Sequence, residues 1–223
     1  METFKKTYIY ITAFEPWANL DKNPTQTIVE SIEEDRSKIE LPKGSELETQ
    51  VLEVSVESSK NELDSLFKKI KSKHQEKKQK KKQTVFKDNV ILLHFGLYSG
   101  SHNLQVERQA FNEATWRGKD QRGLMSLYQQ IIPENGPITH TFNTKFDVEK
   151  IVENLKSKEY KIISSLDPGR FLCNWVYYYS LNFSDKIQNC RSLFVHFPEF
   201  DEIGLDDDIR FVSDLISFLV DSF

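Results

Sequence analysis

The chain has 223 residues, of which 38% are hydrophobic and 29% are charged. This length is enough to bury one sizeable core, so we predict a single domain over residues 1–223. No apolar run approaches the roughly 20 residues that a membrane-spanning helix needs, and the first residues lead into a strand pattern rather than a signal peptide. We therefore expect a soluble, cytoplasmic protein with no membrane partner. Two cysteines, Cys173 and Cys190, are too few for a disulfide framework and lack the spacing of a zinc knuckle.

The net charge of -4 is unevenly distributed along the chain. Residues 68–82 contain nine lysines and one glutamate, a local charge of +8 that leaves -12 on all other residues. Nucleic-acid binding depends on clustered lysine and arginine, so we expect no nucleic-acid interface on the folded domain. The lysine run repels itself, and we predict a mobile, solvated insertion or a fraying helix end at about 68–88. A tether for RNA or for an acidic membrane is the less favoured interpretation of the run.

Strand patterns alternate with helix patterns from the start of the chain, which indicates an α/β fold with a largely parallel sheet wrapped by helices. Residues 7–14 are predicted to form the first strand, and Asn23-Pro24 supplies the N-cap and first residue of a helix. A second strand is expected at 50–56, followed by a helix from about Lys60. Residues 89–96 are the best candidate for a central strand, because a run of consecutive apolar residues is typical of a strand that is buried on both faces of the sheet.

The segment 97–144 is long and weakly periodic, and such irregular segments inside a compact domain are more often functional than filler. A helix at 147–156 and a strand at 160–166 follow it. After a turn at 167–169, the sequence predicts a helix at 173–181 and a strand at 192–197. The last helix opens with three aspartates at 206–208, to which we assign a capping role rather than a metal site.

Polar residues at the carboxyl ends of strands are the expected reactive groups of an open α/β sheet. Cys173 follows a strand and a turn and lies near a helix start, where unpaired amides and the helix dipole favour a thiolate. His196 ends a predicted strand, and Glu107 lies in the irregular segment, free to turn toward the sheet edge. A thiolate, an imidazole base and an orienting carboxylate form the usual apparatus for acyl transfer.

Each of these residues also has a structural interpretation. Cys173 could be a small buried hydrophobe, and His196 could be a packed strand residue whose hydrogen bonds are satisfied. Glu107 could form an ion pair with Arg108 or Arg117 on the surface. Spacing alone therefore favours an enzyme only slightly.

Four motifs resemble those of the pyroglutamyl peptidase type I family of cysteine peptidases, in the family's order and over nearly the whole chain except the lysine run. Residues 13–17 read Ala-Phe-Glu-Pro-Trp and are followed by Asn23-Pro24. The glutamate motif is Val-Glu-Arg-Gln-Ala-Phe-Asn at 106–112, and the cysteine motif is Gly-Arg-Phe-Leu-Cys-Asn at 169–174. The histidine motif is Phe-Val-His-Phe-Pro at 194–198.

The resemblance implies a hydrolase that removes an N-terminal pyroglutamyl (5-oxoproline) residue from peptides, so the expected partner is such a peptide. It implies a three-layer α/β/α sandwich with a largely parallel or mixed sheet, and no metal or cofactor. Carried over to this sequence, it makes Cys173 the nucleophile and His196 the base and later the acid. It makes Glu107 the carboxylate that holds His196.

The same resemblance implies the residues that bind the substrate. Phe14 and Trp17 match two aromatics that sandwich the lactam ring, and Leu172 matches an apolar wall of the pocket. Leu97 matches the position whose backbone recognises the lactam. Arg117 matches an arginine close to the site. An uncharged lactam needs an aromatic, uncharged pocket, which Phe14 and Trp17 could provide, although large aromatics are more often core residues.

Several positions depart from the family pattern. Trp17 stands where the family has phenylalanine, Ala18-Asn19 replaces a glycine pair, and Pro168 precedes the glycine where a smaller residue is frequent. These changes bear on pocket size and substrate range more than on the reaction.

Asp120 matches an acidic position and is the alternative for the orienting carboxylate. A different class of function is a catalytically silent relative that binds a peptide end or a protein through Phe14 and Trp17. The sequence does not distinguish a monomer from a homo-oligomer.

Overall fold

A computed structural model describes residues 5–18, 20–75, 84–116 and 118–223. Within these ranges the strands and α-helices follow one another in this order: β1 (Thr7–Phe14), α1 (Pro24–Glu34), β2 (Ser45–Leu52), α2 (Val56–His74), β3 (Thr84–Leu97), β4 (Leu104–Glu107), β5 (Gln109–Phe111), β6 (Ala114–Trp116), β7 (Ser126–Gln129), β8 (Thr141–Asn143), α3 (Val148–Lys156), β9 (Ile162–Ser165), α4 (Leu172–Asp185), β10 (Ile187–Phe197) and α5 (Leu205–Asp221).

The main sheet has six strands in the order β2-β1-β3-β10-β4-β9. β2, β1, β3 and β10 are parallel, whereas β4 pairs antiparallel with β10 and parallel with β9, so the sheet is mixed. One apolar core joins a sheet face to α1, α3 and α5, and a second joins the other face to α2 and α4. The predicted three-layer α/β/α sandwich is thus confirmed. None of the helices in the described ranges combines the length and apolar character needed to cross a membrane.

Local sequence patterns predicted the positions of several helices and strands correctly. β1 occupies Thr7–Phe14, as predicted, and is buried along its whole length. Asn23 caps α1 by accepting a hydrogen bond from the backbone N–H of Thr25 at 3.0 Å, and Pro24 is the first helical residue. Both features follow from chemistry within three residues of sequence, because an asparagine side chain satisfies a free helix amide and proline has none to lose.

The second strand and the helix after it lie earlier than predicted. The strand expected at 50–56 is β2, Ser45–Leu52, and the helix expected from about Lys60 is α2, which begins at Val56. Ser55 is the N-cap, accepting a hydrogen bond from the backbone N–H of Ser58 at 3.2 Å. β2 is an edge strand and alternates charged with partly buried residues, so its apolar signal is weak.

The segment 97–144 contains more regular structure than predicted. It holds β4 to β8, and β4 is an interior strand of the main sheet. These strands are three or four residues long, too short for periodicity to reveal.

The predicted insertion at about 68–88 is too wide at both ends. α2 continues to His74 and β3 begins at Thr84, while residues 76–83, which include the end of the lysine run, lie outside the described residues. Leu63, Phe67 and Ile70 continue the buried stripe of α2 into the run, which holds this part of it in the helix.

Two lysines of the run, Lys69 and Lys73, also form ion pairs with the edge strand β2. Lys73 lies 3.5 Å from Glu48 and 3.6 Å from Glu46, and Lys69 also pairs with Glu48. These exposed pairs contribute little stability individually, but they partly neutralise the run.

The capping role assigned to the aspartates at 206–208 is wrong for Asp208. Gly204 is the N-cap of α5, without a side-chain hydrogen bond, whereas Asp208 is fully buried and its oxygens have no partner among the described residues. Burial, and then the charge of Asp207, raise the pKa of Asp208 to about 8. A carboxyl that is mostly neutral at pH 7 is not the anion that a helix dipole attracts.

Candidate active site

His196 and Glu107 lie on neighbouring strands of the main sheet. β10 carries His196, and its antiparallel partner β4 carries Glu107 opposite Phe194, two residues before the histidine. Glu107 and His196 are therefore diagonal neighbours on one face of the sheet. Nδ1 of His196 donates a hydrogen bond to Oε1 of Glu107 at 2.7 Å. Both side chains are buried, with exposed fractions of 4% for His196 and 0% for Glu107.

The position of Glu107 differs from the sequence interpretation. It is the last residue of an interior strand, not a residue of an irregular segment free to turn. A surface pair with Arg108 is also wrong, because Arg108 donates to Glu149 at 2.7 Å. Oε2 of Glu107 has no hydrogen-bond partner among the described residues. Within these residues, the hydrogen bond from His196 to Oε1 is therefore the interaction that offsets the cost of burying this carboxylate.

Cys173 is the second residue of α4, as the turn before it led us to expect, and its side chain is half-buried. Its sulfur lies against Gly96 of β3: a Cβ atom at position 96 would lie 2.9 Å from Sγ and 2.7 Å from Cζ of Phe194. Gly96 pairs in register with His196 of β10. The missing side chain at position 96 therefore lets the sulfur approach the strand pair that carries the imidazole.

The electrostatics of His196 reflect this neighbourhood. Burial alone would lower its pKa, but the interactions with Cys173 and then with Glu107 outweigh burial and raise the pKa to about 9. Within the described part of the chain, no hydrogen bond of ordinary geometry joins the imidazole to the sulfur, although the sulfur is close enough to act on its charge. Hydrogen bonds of this kind are often long in an unliganded site.

The N-terminus of α4 also supplies hydrogen-bond donors beside the sulfur. Phe171 is the N-cap, and the first helical amide with a partner in the preceding turn is that of Trp175, which donates to the carbonyl of Phe171. The backbone amides of Leu172, Cys173 and Asn174 precede it and have no carbonyl within the helix to bond. Such amides can stabilise an oxyanion that forms at the cysteine.

A cavity of about 460 Å³ opens beside Cys173. It is lined mainly by apolar side chains: Phe14, Trp17, Ala18, Leu20, Val54, Leu97, Phe171 and Leu172, together with Glu15, Asn23, Ser99 and Cys173. Its size and character are those of a site for a small, largely uncharged group.

The cavity brings together four of the residues predicted to bind substrate. Phe14, Trp17, Leu97 and Leu172 all line it, on three different elements and one loop. Arg117, the fifth, lies outside the described residues. Their separation in sequence shows that only the fold assembles this wall.

Sequence reasoning missed Phe171. Its ring packs on Trp17, with centroids 4.8 Å apart, and on Trp116, with centroids 5.3 Å apart. Phe171 thus links the mouth of the cavity to the β6–β7 hairpin. Its place two residues before Cys173 was the only available signal, since nothing in its spacing distinguishes it from a core aromatic.

Asp120, the alternative for the orienting carboxylate, serves a different purpose. It accepts hydrogen bonds from the backbone N–H groups of Val56, Arg122 and Leu124 at 3.0, 3.0 and 2.8 Å. These bonds fix the loop that precedes β7 against the start of α2. Asp120 is therefore a structural residue, and Glu107 is the carboxylate beside His196.

Ala18, on the rim of the cavity, has a φ of +58°, in the left-handed region that disfavours residues with a Cβ. We expect Ala18→Gly to raise the free energy of unfolding by roughly 0.5 to 1 kcal/mol, because relief of strain exceeds the entropy that glycine adds to the unfolded chain. Chemical denaturation measures the change. Ala13→Gly in β1 is the control and should destabilise; an equal loss from both variants would contradict the expectation.

No group of three or more His, Cys, Asp or Glu side chains arranged to hold a metal ion occurs across 5–18, 20–75, 84–116 and 118–223.

The fold and the site together define the class of protein. A thiol that shares one edge of an α/β/α sheet with an imidazole–carboxylate pair is the arrangement of cysteine hydrolases. Comparison with known proteins gives the family within that class. A family model described as pyroglutamyl peptidase matches residues 7–214, and the chain belongs to this family.

Individual relatives agree with the family match. The pyrrolidone-carboxylate peptidase of Thermococcus litoralis is 28% identical over 192 residues, covering 85% of this chain and 76% of the relative. That of Pyrococcus furiosus is 28% identical over 199 residues, covering 89% and 84%. The crystal structure of the pyrrolidone carboxyl peptidase from Fervidobacterium islandicum superposes with a TM-score of 0.77 at 26% identity, covering 97% of this chain and 99% of that one.

Proposed function

We propose that this protein hydrolyses the peptide bond that follows an N-terminal pyroglutamyl residue, with Cys173 as nucleophile. The observation that carries the proposal is the hydrogen-bonded pair of His196 and Glu107 beside Cys173, at the mouth of an apolar cavity. The names of the family and of its relatives support the substrate.

In the first half of the reaction, the thiol of Cys173 has given its proton to His196, and the thiolate Sγ attacks the carbonyl carbon of the pyroglutamyl residue. A carbon–sulfur bond forms, and the carbonyl electron pair moves to the oxygen, where the free amides at the start of α4 stabilise its charge. The electron pair then returns and breaks the carbon–nitrogen bond. The imidazolium of His196 gives its proton to the departing amine, which leaves a thioester on Cys173.

In the second half, neutral His196 takes a proton from water, and the resulting hydroxide equivalent attacks the thioester carbonyl. The carbon–sulfur bond breaks, the sulfur leaves as the thiolate, and free pyroglutamate is released. His196 keeps the proton and is again an imidazolium. Glu107 acts through His196 by holding Nδ1 and stabilising the positive charge, as a positioning residue.

The cavity accounts for selection of a cyclised N-terminus. A pyroglutamyl group carries no ammonium and is nearly flat, so the ring surfaces of Phe14 and Trp17 and the side chain of Leu172 can cover it without leaving a charge unpaired. A free glutamyl residue would have to bury both an ammonium and a carboxylate there, which is costly.

A substrate profile tests this function. The same fluorogenic amine is attached to pyroglutamyl, prolyl and glutamyl groups, and release of the amine is followed with purified protein. We expect cleavage of the pyroglutamyl amide, with the other two slower by at least about 100-fold. Both the prolyl and the glutamyl group carry an N-terminal ammonium, which is costly to bury in the apolar cavity. Equal cleavage of the glutamyl amide, or no cleavage of any, would overturn the proposal.

Alkylation should distinguish the two cysteines. Burial raises the pKa of the Cys190 thiol to about 12, and its exposed fraction is 1%, so it should be an unreactive thiol at pH 7.5. Cys173 is half-buried beside His196 and should react first with iodoacetamide. Mass spectrometry of peptides, read alongside residual activity, checks this. Loss of activity in step with labelling of Cys190 would contradict it.

We propose the cytoplasm as the compartment, because a reducing environment keeps a cysteine nucleophile in its thiol form. Cys173 and Cys190 are both free thiols, which is consistent with such an environment. Fractionation of cells that make the protein tests the assignment, and recovery in a secreted or envelope fraction would refute it.

A further inference from the structure

The imidazole of His196 has two aromatic neighbours of very different exposure. Phe194 has its ring centroid 4.8 Å from that of the imidazole and is fully buried. Tyr98 has its ring centroid 5.7 Å away, with planes tilted by 49°, and its exposed fraction is 53%. Tyr98 is therefore the solvent-facing cover of an imidazole that is itself only 4% exposed.

The backbone fixes Tyr98 on this side of the site. Its N–H donates to the carbonyl of Phe197 at 2.9 Å, which extends the pairing of β3 with β10 by one residue. Its neighbours Leu97 and Ser99 both line the apolar cavity, and Tyr98 does not. Because successive residues of an extended chain point in opposite directions, the Tyr98 ring faces away from the cavity and toward His196.

The two sides of Cys173 therefore receive different parts of a peptide. The cavity binds the pyroglutamyl acyl group that becomes bonded to the sulfur. The departing amine must lie next to His196, which protonates it. The side chain on that amine then extends past the imidazole, where Tyr98 is the exposed ring. This argument rests on the proposed function, since it takes the cavity as the site of the pyroglutamyl ring.

Two acidic side chains lie in the loop that follows β10. The hydroxyl of Ser99 donates to Oε1 of Glu199 at 2.7 Å, which places a carboxylate one residue from Tyr98 along the chain. Glu202 lies in the same loop and pairs with His102 at 2.8 Å. An apolar side chain on the residue after pyroglutamate would bury area against the Tyr98 ring, which a small or charged side chain would not do.

We propose that Tyr98 is a specificity-determining residue, forming the subsite for the side chain that follows pyroglutamate and favouring a large aromatic or aliphatic residue over a small or acidic one. An aromatic pair at a partly exposed site is worth enough to change a rate by about three- to tenfold. The peptides favoured would be pyroglutamyl peptides with a bulky second residue.

The test uses three dipeptide amides in which pyroglutamate is followed by phenylalanine, alanine or glutamate, with product formation followed chromatographically. For the unmodified protein we expect kcat/KM to be about three- to tenfold higher with phenylalanine than with alanine or glutamate. Tyr98→Ala should bring the phenylalanine-to-alanine ratio close to one, and Tyr98→Phe should keep it.

Tyr128→Ala is the matched control, because Tyr128 is an exposed tyrosine on β7 that does not line the cavity. It should leave the ratio as it is in the unmodified protein. Tyr98→Lys is a second test, which stays informative even if Tyr98→Ala does not fold. It should raise the rate with the glutamate peptide relative to the rate with the phenylalanine peptide.

A ratio near one in the unmodified protein, or a ratio that survives Tyr98→Ala, would overturn the inference. So would Tyr98→Lys leaving the preference between glutamate and phenylalanine unchanged. Failure of the proposed function looks different, because then the unmodified protein would cleave none of the three peptides.

Discussion

Replacement of Cys173 by alanine is expected to lower kcat/KM toward a pyroglutamyl amide by roughly 10⁴- to 10⁶-fold, because the variant has no atom to form the thioester. The binding cavity should survive, since its other walls do not depend on the sulfur. The variant should therefore still bind free pyroglutamate, which competition or calorimetry can measure. Loss of activity with retained binding would separate a chemical role of Cys173 from a packing role.

Cys190→Ala provides the matched control for this prediction. Cys190 is a buried residue of β10, away from the cavity lining, so its removal should cost stability through lost packing but little activity. Both variants need a folding check by circular dichroism. Activity that persists in Cys173→Ala, or that disappears equally in Cys190→Ala, would remove Cys173 from the mechanism.

Glu107→Gln is expected to lower kcat by roughly 10³- to 10⁴-fold while leaving KM within a few-fold, because the amide keeps the shape of the side chain but not its charge. The carboxylate accepts the Nδ1–H of His196 at 2.7 Å and helps to hold the imidazolium inside the protein. A glutamine can present either its oxygen or its amino group to Nδ1, so the ring loses a fixed orientation and tautomer.

The same substitution should change the pH dependence, and the sign follows from the direction of the shift. The pKa of His196 is raised from 6.5 to about 9 in the folded protein. This contribution to stability is fully present below pH about 6.5 and is lost as pH rises through about 9. Activity that requires the imidazolium should fall over the same upper limb. In Glu107→Gln, both the fall in stability and the fall in activity should move to lower pH.

Glu149→Gln is the control for the second prediction. Glu149 is an exposed carboxylate that pairs with Arg108, the neighbour of Glu107, so it tests the loss of a nearby negative charge without touching His196. Its pH profile should match that of the unmodified protein. If Glu107→Gln and Glu149→Gln gave the same profile, the buried pair would have no special effect on His196.

Local chemistry allowed the elements that carry Cys173 and His196 to be predicted from the sequence, whereas the substrate-binding residues were implied by the family resemblance. The turn before Cys173 predicted a helix start, and α4 begins at Leu172. The apolar run before His196 predicted a strand that ends at the active edge, and β10 ends at Phe197. These expectations depend on hydrogen bonds and burial within a few residues, which a linear sequence records directly.

Other features depend on contacts between distant segments, and no local pattern reveals them. The four residues of β4 became an interior strand only because β10 and β9 pair with it on both sides. The role of Gly96 follows from the approach of Cys173, 77 positions later in the chain (173 minus 96). Phe171 lies at the cavity in contact with Trp17 and Trp116, which belong to segments far from it in the chain.

The sequence by itself determined which residues could carry the chemistry, the alternation of strands and helices, and the starts of α1, α3 and α4, because each depends on neighbours along the chain. Only the tertiary structure decided that Glu107 rather than Asp120 faces His196, that Gly96 admits the sulfur, and that Tyr98 covers the imidazole. The physical reason is that strand register and packing of layers set the distances between these groups, and both are settled by burial over the whole molecule.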